Sequence, residues 1–117
     1  MTQKWRAIQE MMRGYRAAQI LFTVNQLEIF QHLAEALRPA PELAALTHSH
    51  PEAMRRLLNA AAGLGLLIKQ KDFYANSKLT EACLLEKGPF FMGNMARLEQ
   101  AGHERWERLP EAIRSGR

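Results

Sequence analysis

The stretch 41–77, "PELAALTHSHPEAMRRLLNAAAGLGLLIKQKDFYANS", decides the fold, because the apolar pattern changes period within it. Pro41 suits the first turn of a short helix over about 41–47, whose apolar face is Leu43, Ala44 and Leu46. The loop "THSH" leads to Pro51, with Ser49 or His50 in the capping position. A firmer helix then runs to about residue 63 and turns Met54, Leu57, Leu58, Ala61 and Ala62 inward, and Gly63 and Gly65 end it. Beyond it, the apolar segments 66–70 and 73–77 flank a charged two-residue turn at Lys71 and Asp72, which predicts a β-hairpin.

On the N-terminal side, Trp5, Ile8, Met12, Tyr15 and Phe22 recur at three- and four-residue steps, so residues 4–24 read as one helix or as two joined near Gly14. A further helix over about 27–37 carries Leu27, Phe30, Leu33, Ala34 and Leu37, and "RPAPE" breaks it. On the C-terminal side, Thr80 is placed as the cap of a helix "EACLLEK" that Gly88 and Pro89 terminate. Residues 90–114 read as helical, with Phe91, Met95, Leu98, Gly102, Trp106, Leu109 and Ile113 in one stripe. Pro110 either bends this helix or begins a fresh turn. Helix, short helix, longer helix and hairpin is the order of a winged helix. The expected fold is therefore mainly α, a single domain over 1–117 with a winged-helix core, one hairpin and added N- and C-terminal helices.

The added helices set the functional question. A core of this size offers too little surface to cover both of their stripes. Burying a large apolar side chain contributes about 1.5–3 kcal/mol, so leaving Trp5, Met12, Tyr15, Phe91, Met95 and Trp106 wet forfeits on the order of 10 kcal/mol. The simplest cover is a second copy of the chain, which places Trp5, Ile8, Met12, Tyr15, Phe91, Leu98 and Trp106 in a homodimer interface. The alternative is that the two helices pack on each other within one subunit.

Composition excludes several classes. With 47% apolar and 24% charged residues, the chain is foldable rather than disordered. Its apolar runs are too short for a membrane span, and "MTQKWRAIQEMM" lacks the apolar core of a secretory signal. A single cysteine, Cys83, cannot form an internal disulfide, and a cytoplasmic location is the economical expectation. "GLGLLI" at 63–68 fails as a nucleotide-binding fingerprint: it follows a helix and precedes a strand, the reverse of the required order. His48 and His50 lack further ligands for a metal, His103 and Glu104 point different ways on a helix, and Cys83 has no activating neighbour. No catalytic, cofactor-binding or metal-binding residue is expected.

DNA binding by a winged-helix transcriptional regulator is the competing reading. Arg55, Arg56 and Asn59 would read DNA from the second helix, and Lys69 and Lys71 would touch backbone from the wing. Against it, the net charge of +4 is spread evenly along the chain, and Glu52 and Asp72 sit where phosphates would lie.

Taken in order, "NQLEIFQHLAEA", "PELAALTHSHPEAMRRLLNAAAGLGLLIKQ", "NSKLTEACL" and "WERLPEAIRSG" resemble the N-terminal dimerisation domain of S-adenosylmethionine-dependent O-methyltransferases of small metabolites in bacteria and plants. The resemblance covers nearly the whole chain. It implies a winged helix that no longer reads DNA, outer helices intertwined with a second subunit, and a wall of the pocket for a small aromatic or polyketide-like acceptor. It also implies that S-adenosylmethionine and the catalytic Rossmann-like domain lie outside these 117 residues, so that the closing helix leads into a further domain and the chain alone lacks activity. Gln26 and Glu28 depart from the family's usual Leu-Gly pairing at this bend. By position, Met95, Ala96 and Arg97 fall at the acceptor pocket, where plant members commonly have Met-Asn in place of Ala96-Arg97. On this reading Arg97 either pairs with an acidic or phenolate group or is solvated, and Met95 is either pocket wall or dimer core.

Overall fold

The computed structural model describes residues 2–116. It is mainly helical: α1 (Thr2–Arg13), α2 (Tyr15–Gln26), α3 (Ile29–Glu35), α4 (Ala40–Leu46), α5 (Pro51–Gly63), α6 (Lys78–Cys83), α7 (Gly93–Trp106) and α8 (Leu109–Ser115). The strands β1 (Arg38–Pro39), β2 (Leu67–Gln70) and β3 (Phe73–Asn76) form one antiparallel sheet in the order β1-β3-β2.

The helix α5 starts as its sequence dictates. Pro51 occupies the first turn, and His50 Nδ1 accepts a hydrogen bond from the Ala53 amide at 3.3 Å. Met54, Leu58 and Ala61 are buried on one face. Its end is a Schellman turn: Gly65 takes φ 83°, its amide bonds to the Ala62 carbonyl, and the Leu66 amide bonds to that of Ala61. The hairpin follows at once, with Leu67 opposite Asn76 and Gln70 opposite Phe73. Around it the core gathers Val24, Ile29, Phe30, Leu43, Leu58 and Tyr74, all at most 1% exposed. Buried polar groups tie the layers: the Tyr74 hydroxyl donates to Asn59 Oδ1 at 2.6 Å, and Asn76 Nδ2 donates to the Phe30 carbonyl at 2.9 Å.

Five sequence expectations change, the first being that the helix expected as "EACLLEK" runs earlier, over Lys78–Cys83. The helix expected over 27–37 spans only Ile29–Glu35, because Glu28 at its N-terminus sits in the left-handed region at φ 58°. "RPAPE" is more than a break, since Arg38 and Pro39 pair with Tyr74 and Phe73 as a third strand. Ser77 rather than Thr80 caps α6: its Oγ accepts from the Thr80 amide at 3.3 Å, while the buried Thr80 hydroxyl donates to the Leu66 carbonyl at 2.7 Å. The last helical stretch begins at Gly93, not residue 90, and divides at Glu107 and Arg108, with Pro110 in the first turn of α8. Near Gly14 the chain forms two helices.

Two stability outcomes are expected. Glu28→Gly removes the cost of a side chain in left-handed backbone and stabilises by about 1 kcal/mol, read as a rise in the urea midpoint. Ser77→Ala removes the α6 cap and a hydrogen bond to Leu66, which lies 3.0 Å from Ser77 Oγ, and destabilises by about 1–2 kcal/mol in the same measurement.

Candidate functional site

The radius of gyration, 16.7 Å, exceeds the roughly 13 Å of a compact chain of this length. The excess reflects helices that stand out from the core. No described side chain of α1 or α8 is buried. On α1, Trp5 is 68% exposed, and Ile8, Met11 and Met12 are exposed beside it, with Tyr15 continuing the stripe onto α2. On α7 and α8, Leu98 is 75% and Trp106 70% exposed, followed by Leu109 and Ile113. Apolar surface of this extent on neighbouring helical turns is the mark of a protein interaction site.

A groove of about 400 Å³ is lined chiefly by Leu21 and Phe22 of α2, Leu79 and Cys83 of α6, and Met92 and Met95 around the start of α7. Its shape follows from how α7 is anchored. Asn25, buried in α2, donates from Nδ2 to the Gly93 carbonyl at 3.4 Å. The Phe91 ring lies so close over Gly93 that any side chain at 93 would strike it. Farther along, His103 meets the Phe22 ring edge-on with 6.2 Å between centroids, and Gln100 Nε2 donates to Gln26 Oε1 at 2.7 Å. Thus α7 packs inside the subunit on α2, not on α1, and its outer stripe stays uncovered.

Of the expected interface residues, Trp5, Ile8, Met12 and Tyr15 share one exposed face, and Leu98 and Trp106 are exposed on α7. Phe91 is half-buried in the turn before α7. Two of the three expected pocket residues come together: Met95 and the buried Ala96 both line the groove, whereas Arg97 is outside its lining and exposed, with its Nη1 donating to Asn94 Oδ1 at 3.3 Å. Leu79, Met92, Phe90 and Met11 are further exposed apolar residues that the sequence reading did not single out. The four-residue step from Leu79 to Cys83 was the available signal for the groove floor.

The residues tested for other chemistry are occupied locally. Arg55 is held by both carboxylate oxygens of Glu52, and Arg56 Nε lies 3.6 Å from Glu52. Hydrogen bonding from Arg55 holds the Glu52 carboxyl below its usual range and raises Arg55 in turn. Asn59, the third residue of the DNA-reading set, is engaged by Tyr74. His50 caps α5, and Cys83 is half-buried. Among the described residues, no three His, Cys, Asp or Glu side chains group to hold a metal, and no helix is long and apolar enough to cross a membrane.

Comparison with known proteins gives these features a family. A model of the O-methyltransferase dimerisation domain matches residues 9–86. The chain is 34% identical to the acetylserotonin O-methyltransferase of Bos taurus over 119 residues, covering 94% of this chain and 34% of that protein. It is 32% identical to the tetracenomycin polyketide synthesis 8-O-methyl transferase TcmO of Streptomyces glaucescens over 111 residues, covering 93% and 33%. Human N-acetylserotonin methyltransferase, solved in complex with SAM, superposes with a TM-score of 0.85 at 25% identity, covering 98% of this chain and 35% of that one. The chain therefore spans about a third of the length of the relatives it matches. With the family model matched over more than half of its residues, this chain belongs to the O-methyltransferase dimerisation domain family.

Proposed function

We propose that the chain is the dimerisation and acceptor-pocket module of an S-adenosylmethionine-dependent O-methyltransferase acting on a small aromatic or polyketide-like metabolite in the cytoplasm. The observation that carries this reading is the pair of exposed apolar stripes, on α1 with Tyr15 and on α7–α8, in a subunit that also has an apolar groove between α2, α6 and α7. Two such copies cover each other's stripes, with the outer helices intertwined around a winged-helix core formed by α3 to β3. The names of the bovine and Streptomyces relatives, an acetylserotonin O-methyltransferase and a polyketide-synthesis 8-O-methyl transferase, support the acceptor class.

On this reading the 117 residues form one domain and transfer no methyl group. In the longer enzyme, S-adenosylmethionine supplies a methyl group from its sulfonium to a deprotonated acceptor oxygen, and residues outside this chain hold it. The module holds two catalytic units together and closes the acceptor site, where placement within an ångström governs rate. On this reading Met95, Ala96 and Arg97 belong to the wall of that site, and Arg97, whose side-chain hydrogen bond among the described residues goes to the neutral Asn94 amide, faces an acidic or phenolate acceptor.

DNA recognition gains nothing from the arrangement of α5. Its Arg55 is held by Glu52, which also lies 3.6 Å from Arg56, and its asparagine is spent on a core tyrosine.

Light scattering of the 13.4 kDa chain is expected to give twice that mass at micromolar concentration; a monomer at all concentrations overturns the proposal. Trp5→Asp and Leu98→Asp, placed on exposed positions, are each expected to weaken the dimer by tenfold or more while leaving the circular dichroism of the monomer unchanged.

A further inference from the structure

A cavity of about 650 Å³, within the size range of small-molecule sites, lies on a different face of α6 from the groove. Lys78, Glu81 and Ala82 line it at helical steps of three and four, whereas Leu79 and Cys83 turn toward the groove. The turn that follows α6 folds back to complete the cavity. There the Gly88 amide bonds to the Leu85 carbonyl at 2.8 Å and the Phe90 amide to that of Ala82 at 2.9 Å. Any side chain at Gly88 would strike the Glu81 and Ala82 carbonyl oxygens, so only glycine permits this close approach, which brings Lys87 into the lining.

Asn76 of β3 is 7% exposed and belongs to the same lining. Its Nδ2 donates to the Phe30 carbonyl, an acceptor with no hydrogen to give, and this fixes which way round the amide stands. Asn76 Oδ1 is left buried without a partner among the described residues. A buried acceptor in that state is costly, and what it lacks is a donor. That oxygen is closed to solvent, so a donor reaches it through a side-chain adjustment of the lining. Neither Lys78 nor Lys87 is paired with a carboxylate among the described residues, and with Glu81 they leave the lining one positive charge in excess. Leu33 and Leu85 supply apolar contact. We infer that this cavity binds a small organic anion with an apolar body and one hydroxyl or N–H group: Lys78 and Lys87 hold the anion, and the donor meets Asn76 Oδ1. The site rests on neither the dimer nor the acceptor reading above, since it uses none of their residues.

Titration of the isotope-labelled chain with mandelate, followed by amide NMR shifts, tests the site, because mandelate joins a phenyl ring to a carboxylate and a hydroxyl. Saturable shifts are expected at residues 33–34, 75–78 and 87–88, with a dissociation constant in the millimolar range. Phenylacetate, which lacks only the hydroxyl, should bind about three- to tenfold more weakly, the span of one net hydrogen bond. Mandelamide, which lacks the charge, should also bind more weakly, and Lys78→Gln and Lys87→Gln should each weaken mandelate about two- to fivefold. Asn76 also holds Phe30, so its part is read from the ligand pair rather than from a substitution that would loosen the fold. Absence of saturable shifts, or shifts centred on α2 and the start of α7, overturns the site. Equal affinity for mandelate and phenylacetate overturns Asn76 as the acceptor. Affinity unchanged in both lysine variants, or equal for mandelamide, overturns the requirement for an anion.

Discussion

The carbonyl oxygen of Leu66 is the point on which the rest of the molecule depends. It accepts from the Ser77 amide at 3.2 Å, the Ser77 hydroxyl at 3.0 Å and the Thr80 hydroxyl at 2.7 Å. These bonds close the base of the hairpin and fix the first turn of α6 to it in a buried setting, where an unpaired carbonyl would cost 1–3 kcal/mol. Through α6 the effect reaches the interaction surface. The Phe90 amide bonds to the Ala82 carbonyl at 2.9 Å and the Met92 amide to that of Cys83, so the chain leaving α6 is laced to it before α7 begins. The floor of the groove and the start of its far wall are thus positioned by one knot at the end of the sheet.

Charge is arranged to leave that surface apolar. The short ion pairs lie elsewhere: Arg38 bridges Glu35 and Glu42 across the α3–α4 turn, and Arg55 and Arg56 share Glu52 on α5. Exposed pairs of this kind are worth little to stability, 1 kcal/mol or less each. Their consequence on α5 is that the positive charge of Arg55 and Arg56 is partly offset by Glu52.

Much of the fold was legible because its signals were local and strong. Periodicity and punctuation located α4, α5 and the hairpin, since Pro51, Gly63, Gly65 and the Lys71–Asp72 turn act through backbone geometry that neighbours cannot override. What escaped was decided by distant contacts. Arg38–Pro39 became a strand only because β3 offers an unpaired edge. Thr80 was drawn from capping to a core hydrogen bond by the proximity of Leu66, fourteen residues earlier. Phe90 to Met92 continue an apolar stripe in sequence, yet the close packing of Phe91 on Gly93 makes them a turn. The exposed stripes were readable as periodic patterns, whereas the groove required knowing that α2, α6 and α7 come together.

The residues that fold the chain and the exposed stripes occupy largely different segments, although the groove shares Leu66 and Leu84 with the core. The buried cluster is drawn from 24–84, while the outward stripes lie on 5–15 and 92–113. Changes well separated from the core act nearly independently of it. Gene duplicates could therefore diverge in whom they pair with, one copy coming to reject its sister, without passing through a misfolded ancestor.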